Sequence, residues 1–269
     1  MRQRSSLARL LASAAMTATL AAGLGGCQTM SDITGSITSS KPDPSAAADP
    51  RAQVEVYGER YRADPRNAEA ALAYGQALRA TGQRSQAVAV LEQATIKHAG
   101  NRPLLAAYGR ALADNGNFQQ AFDVLTRAHS PDNPDWRILS VQGTALDQLG
   151  RHDEARRYYD SALKIAPDEP SVLSNLGMSY VLSRELPKAE EVLRRAYAST
   201  RADARVRQNL GLVVGLQGRF AEAEGIVKAD LPAEEAAANV AYLKQMLSRK
   251  DNPRAGAGTI PVAALNRPD

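Results

Sequence analysis

The chain has 269 residues, and its 33 basic and 29 acidic side chains give a formal net charge of +4. Three arginines precede Cys27, so an export signal that ends there would leave 30 basic residues against 29 acidic ones. Because no basic run remains and only 5% of the residues are aromatic, nucleic acid is excluded as an expected partner.

Residues 1–26 have the pattern of a bacterial lipoprotein signal peptide. After the arginines comes an apolar stretch, 10–24, which is shorter than a typical membrane-spanning helix. It ends in Leu-Gly-Gly-Cys, which resembles a lipobox, and that resemblance makes Cys27 the lipidated first residue of the mature protein. A plain signal peptide with an incidental cysteine is the alternative, but a lone cysteine at this place favours lipidation.

The sequence after Cys27 predicts where the protein is held. Several acyl chains anchor such lipoproteins stably, and Gln28, where aspartate would favour inner-membrane retention, favours the outer membrane facing the periplasm. Residues 27–50 comprise this cysteine and a segment rich in Ser, Thr, Pro and Ala, which predicts a disordered tether. A tether of about 22 residues reaches at most roughly 70 Å.

Residues 51–249 are dominated by a repeat of 34 residues. Two series of small residues recur at this step, and we call them the glycine ladder and the alanine ladder. The glycine ladder is Gly75, Gly109, Gly143, Gly177 and Gly211, and the alanine ladder is Ala87, Ala121, Ala155, Ala189 and Ala223. A period of 34 is typical of two helices per copy. The sequence predicts an all-α helix-turn-helix solenoid, which offers a long surface and no enclosed cleft. The copies are 68–101, 102–135, 136–169, 170–203 and 204–237, between capping helices over 51–63 and 233–249.

The ladder glycines predict close contact between the two helices of each copy. A glycine inside a helix costs about 1 kcal/mol relative to alanine, so five of them indicate a packing reason. The large apolar positions of the second helices are Leu91, Leu125, Tyr159, Leu193 and Val227. Between the helices, Gly82, Gly116, Gly150 and Gly218 suit a left-handed turn residue. Arg184 stands at this position in the fourth copy, so a strained or differently shaped turn is predicted there.

The third copy resembles the tetratricopeptide family. The matching residues are Trp136, Leu139, Gly143, Leu146, Ala155, Tyr159, Ala162 and Pro167. By that resemblance the first helices line the concave side and the partners are proteins. The side chains expected to face the groove and contact a partner are Arg79, Arg110, Arg137, Thr144, Asp147, Asn175, Met178, Arg205 and Asn209.

Two interpretations of this groove stay open. Some members of the family clamp a peptide carboxylate with asparagine and basic side chains. Asn175, Asn209 and Arg205 would supply part of such a clamp. Because only part of the arrangement is present, a polar groove without a clamp is the alternative.

The sequence offers no set of residues for catalysis. His98, His129 and His152 lack metal-ligand spacing and are expected to be solvated or capping. No glycine-rich phosphate loop follows a strand, and lipidation of Cys27 would leave no candidate thiol nucleophile. We therefore expect no enzyme activity, no cofactor, no metal and no small-molecule substrate.

The end of the chain completes a layout that resembles the TadD-type lipoproteins of tight-adherence (Flp) pilus systems. Residues 250–269 contain several prolines and glycines and predict a disordered tail, whose apolar piece 260–265 could dock or simply fray. The resemblance rests on the lipobox, the tether, the repeats and the closing segment 230–243. It implies a non-catalytic factor that supports the secretin channel and pilus biogenesis. A scaffold for another envelope machine, or a cell-wall enzyme or its activator, remains the alternative.

Overall fold

The computed structural model describes residues 50–130 and 132–251, and the side chains of 249–251 are not described. The predicted signal peptide, Cys27, all of the predicted tether except Pro50, and all but the first two residues of the predicted tail lie outside the described residues. Within the described ranges the fold is all-α: it has twelve helices and no strand, and one isolated bridge joins Ser130 to Asn133. None of these helices is both long and apolar enough to cross a membrane.

The helices form five antiparallel pairs between two single helices. They are α1 (Pro50–Ala63), α2 (Ala68–Ala80), α3 (Arg84–Lys97), α4 (Arg102–Asp114), α5 (Phe118–Ala128), α6 (Trp136–Gln148), α7 (His152–Ile165), α8 (Pro170–Leu182), α9 (Leu186–Tyr197), α10 (Ala204–Leu216), α11 (Phe220–Val227) and α12 (Ala233–Asp251). The first helices of the pairs begin at positions 68, 102, 136, 170 and 204, the step of the glycine ladder.

Side-chain caps explain why most first helices begin where they do. The side chains of Asn67, Asn101, Asp135 and Asp203 accept hydrogen bonds from backbone N–H groups of the first turn. Such a cap is worth about 1 kcal/mol. In the fourth pair, the first helix α8 has no side-chain cap bond. It begins with Pro170, whose fixed φ suits the first helical position.

The turn inside each pair requires a left-handed residue. In the first three pairs and the fifth this residue is glycine, with φ between 75° and 85°. Arg184 takes the same conformation in the fourth pair, with φ 63°, which is strained for a residue that has a β-carbon. This turn nevertheless has the same hydrogen bond as the turn of the third pair. The N–H of Glu185 donates to the carbonyl of Tyr180 at 2.8 Å, and in the third pair the N–H of Arg151 donates to the carbonyl of Leu146 at 2.9 Å.

Each ladder glycine lies directly beneath the large side chain of its partner helix. A β-carbon added at any of the five would lie 2.5–2.6 Å from the nearest atom of Leu91, Leu125, Tyr159, Leu193 or Val227. The five ladder alanines are at most 1% exposed. The helices of a pair can therefore approach this closely only because both ladders consist of small residues.

The fifth pair departs from the other four. Its second helix, α11, has 8 residues and ends at Val227, and α12 begins at Ala233. The predicted fifth copy, 204–237, therefore runs past its own helix pair into the final helix. Leu243 of α12 packs against Gly215, where an added β-carbon would lie 2.6 Å from its Cδ2.

Candidate functional site

The first helices form one continuous layer, which we call the first-helix face. In chain order, the backbones of α2, α4, α6, α8 and α10 each approach that of the next, whereas consecutive second helices within the described ranges meet only through long side chains, such as Phe122 with Tyr158 and Arg194 with Glu222. The first helices are therefore closer together and lie on the inner, concave side of the stack. The nine predicted contact residues are all on these five helices.

The basic part of this face comprises Arg79, Arg110 and Arg137. Arg79 forms an ion pair with Asp114 at 2.7 Å, and Arg137 stacks over the ring of Trp136, 4.4 Å from its centroid. The half-buried Arg110 makes no side-chain hydrogen bond or ion pair with the described residues. Burial lowers the pKa of Arg110; the negative charges of Asp135 and Asp114 oppose this effect, and the positive charges of Arg79 and Arg137 add to it. A guanidinium in this position is suited to an acidic group from outside the chain.

Asp147 does not serve as a contact residue. It is 6% exposed, and its carboxylate accepts hydrogen bonds from the hydroxyls of Tyr159 at 2.9 Å and Ser179 at 2.8 Å, and from Nδ1 of His152 at 2.9 Å. Burial and then the charge of Asp147 raise the pKa of Tyr159. The expectation that Asp147 faces a partner is therefore wrong: it ties α6 to α7 and α8.

Thr144 also faces this buried network rather than a partner. Its hydroxyl donates to the carbonyl of Ser140 at 3.1 Å and lies 3.4 Å from the hydroxyl of Tyr159. Met178 is half-buried on α8, where it can contribute only apolar surface. The centre of the face therefore offers less polarity than its sequence indicates.

The two asparagines brace neighbouring repeats. The Nδ2 of Asn175 donates to the hydroxyl of Ser140 at 3.0 Å, and the Nδ2 of Asn209 donates to that of Ser174 at 2.9 Å. Both serines are buried. One of the two N–H groups of each amide is therefore engaged between repeats, whereas Arg205 stays exposed and unbonded within the described residues.

A second buried polar group was missed from the sequence. Gln142 replaces the leucine or tyrosine of the other copies and is 1% exposed. Its Nε2 donates to the hydroxyl of Thr126 at 3.0 Å, and its Oε1 accepts from Nε2 of His129 at 3.1 Å. His129 is the C-cap residue of α5, which agrees with the expectation of a capping residue, and both His129 and His152 are half-buried. The break in the apolar pattern at Gln142 was the signal that could have found this group.

An apolar groove at the end of the first-helix face was also missed. It has a volume of about 630 Å³ and lies between α10, α11 and α12. Its lining residues are Gln208, Gly211, Leu212, Leu216, Val227, Leu231, Asn239, Val240, Tyr242, Leu243 and Met246. Among the described residues, no cluster of His, Cys, Asp and Glu could hold a metal ion.

Two family models match parts of the chain. The model described as tetratricopeptide repeat matches residues 112–174 and 146–212. The model for subunit 3 of the anaphase-promoting complex, or cyclosome, matches residues 53–128. Neither describes an enzyme, and no curated protein matches the chain.

Several solved structures share the fold. A Cut9–Hcn1 hetero-tetramer of the anaphase-promoting complex superposes with a TM-score of 0.62 at 18% identity, over 77% of this chain but only 41% of that one. PilW, described as a widely conserved type IV pilus biogenesis factor, also gives 0.62 at 18% identity, over 73% of this chain and 92% of that one. The tetratricopeptide protein TTC0263 of Thermus thermophilus gives 0.56 at 21% identity, over 68% and 97%. The fold is therefore an all-α tetratricopeptide-type solenoid, and residues 112–212 of it match the tetratricopeptide repeat model.

Proposed function

We propose that this protein is a non-catalytic scaffold that binds other proteins during assembly of a tight-adherence (Flp-type) pilus and its outer-membrane secretin. The observation that carries the scaffold role is the first-helix face, an open surface that presents charged and apolar side chains rather than a catalytic cleft. Solenoids of this kind use such extended concave surfaces for binding. The pilus role is supported by the sequence layout, from the lipobox to the closing segment 230–243.

Arg110 is the side chain best suited to select a partner. Its neighbours Arg79 and Arg137 are engaged with Asp114 and Trp136, whereas Arg110 has no bonding partner among the described residues. A partly desolvated guanidinium gains more from a carboxylate than an exposed one, because water competes less. We therefore assign an acidic segment of the partner to this half of the first-helix face.

Membrane anchoring belongs to the same proposal. Lipidation of Cys27 would hold the protein at the outer membrane, and the tether would let the solenoid extend into the periplasm. This arrangement would place the first-helix face within reach of a secretin that is assembled at that membrane.

Deletion and complementation in the producing bacterium test the proposal. Loss of the gene should remove surface pili and reduce or mislocalise the secretin, while pilin synthesis continues. Complementation with Arg110→Gln should restore few pili, whereas Arg84→Gln should restore them fully. Arg84 is a matched control because it is exposed on a second helix, α3.

Crosslinking in membranes then identifies the partner. Capture of the secretin or another pilus component by the wild type, and reduced capture by Arg110→Gln, would support the pilus role. Normal piliation of the deletion strain would refute it. Capture of components of another envelope machine would assign the scaffold there instead.

A further inference from the structure

The apolar groove arises because the last repeat is less completely filled than the others. In the last pair, Val227 covers the ladder glycine, whereas the larger Leu91, Leu125, Tyr159 and Leu193 do so in the other four pairs. Above Gly211 only one side-chain atom, Cγ1 of Val227, lies closer than 4.0 Å to an added β-carbon, whereas three atoms of Leu91 lie within 2.8 Å above Gly75. The 8-residue helix α11 also ends before it can cover α10.

The first-helix face is apolar at this end. Leu212 takes the position that Arg110, Thr144 and Met178 take in the preceding copies. One turn further on, Leu216 also lines the groove. Arg110 and Thr144 are polar, whereas Met178 and Leu212 are apolar, so this end of the face is suited to an apolar occupant and not to an acidic one.

Helix α12 covers only one side of the groove. Its Leu243 packs against Gly215, but Tyr242 and Met246, which also line the groove, remain 64% and 51% exposed. Covering the apolar surface of such side chains removes it from water, which is favourable. A short apolar segment of extended chain would fill this space.

We propose that residues 260–265, in the part of the chain that follows α12, bind in this groove. Their sequence, Ile-Pro-Val-Ala-Ala-Leu, contains no charge and is the apolar run of the residues after Asp251. Pro261 has no N–H, so its burial leaves one fewer backbone donor to satisfy. The inference does not depend on pilus assembly.

The length of the connecting chain permits this contact. Eight residues, 252–259, separate Asp251 from Ile260, and nine Cα steps reach at most about 30 Å. Along α12, Met246 lies about 7.5 Å and Asn239 about 18 Å before Asp251, at about 1.5 Å per residue. The segment can therefore turn back over the whole groove, and a link of this length gives an effective concentration on the order of millimolar.

Methyl NMR of the full chain, with its methionines labelled, tests the contact. Met246 lines the groove, whereas Met178 lies on α8 and serves as an internal reference. Val262→Asp combined with Leu265→Asp should shift the Met246 methyl signal and leave Met178 unchanged. Thr259→Asp combined with Asn266→Asp, which adds the same charge outside the apolar run, should leave both signals unchanged.

A peptide of residues 256–268 provides the second measurement. It should bind the Val262→Asp/Leu265→Asp chain and return the Met246 signal towards its wild-type position, and it should bind the wild-type chain at least tenfold more weakly. A Met246 signal that ignores the tail substitutions would overturn the proposal. So would a wild-type signal that changes on dilution as a dimer dissociates, since a second copy would then be the occupant.

Discussion

Gly143→Ala should destabilise the protein even though alanine is the better helix former. The added methyl would lie 2.6, 2.8 and 2.9 Å from three ring atoms of Tyr159, closer than unbonded carbon atoms approach. Tyr159 is 1% exposed, and its hydroxyl bonds to the buried Asp147 at 2.9 Å. The ring therefore cannot move away without loosening a network that joins three helices.

The competing effects have different magnitudes. Overpacking of a filled core costs about 1–3 kcal/mol, and a weakened bond to buried Asp147 costs about 1–3 kcal/mol more. Replacing a helical glycine by alanine returns about 1 kcal/mol. We expect a net loss of about 2 kcal/mol, which lowers the melting temperature by roughly 4–8 °C in a domain of this size.

Thermal and urea unfolding, followed by circular dichroism at 222 nm, measure the change. Gly225→Ala is the matched control, because Gly225 lies in α11 and a β-carbon there meets nothing within 4 Å. That variant should gain stability from helix propensity alone. If Gly143→Ala is stabilised as much as Gly225→Ala, the close contact with Tyr159 does not limit the packing of this pair.

Three further predictions concern the anchor, an ion-pair network and a strained turn. Cys27→Ser should abolish labelling by a fatty-acid analogue and release the protein from the membrane fraction; unchanged labelling would refute lipidation. Hydrogen bonds, of which the one from Arg219 has the largest effect, lower the pKa of Glu190 to about 2. The contribution of Glu190 to stability is therefore fully present above the ordinary pKa near 4.5, and it is lost as the pH falls towards 2. Glu190→Gln should weaken this acid dependence in urea titrations and the exposed neighbour Glu191→Gln should not; equal effects would contradict the assignment. Arg184→Gly should raise the free energy of unfolding by about 1 kcal/mol, and a loss would mean that the arginine side chain outweighs the strain.

The fold could be predicted from the sequence because each copy obeys the same steric rule. A large residue on one helix requires a small one on its partner, so Gly143 and Tyr159 recur as a pair at a fixed step in the other copies. Helix caps and turn glycines recur with them. The prediction lost accuracy where the copies differ, at the short helix α11 and at Val227.

The candidate site was harder to predict because its decisive bonds join different repeats. Asn175 bonds to Ser140, and Ser179 bonds to Asp147, across 35 and 32 residues of sequence. A pattern within one copy shows that these side chains are on the first helix, but not that they satisfy one another. Several polar residues that the sequence assigns to partner contact therefore form hydrogen bonds that hold neighbouring repeats together.

Internal bonding separates the residues that we propose for partner binding from the structural ones. Once Asp147, Asn175 and Asn209 are assigned to bonds between helices, the predicted contact residues Arg110 and Arg205 remain without a side-chain hydrogen bond or ion pair among the described residues, although the charge of Asp135 acts on Arg110. Burial makes Arg110 the more selective of the two, since a half-buried cation is costly until a carboxylate meets it. Hence Arg110→Gln should reduce partner capture more than Arg205→Gln, and the opposite order would move the contact to the start of α10.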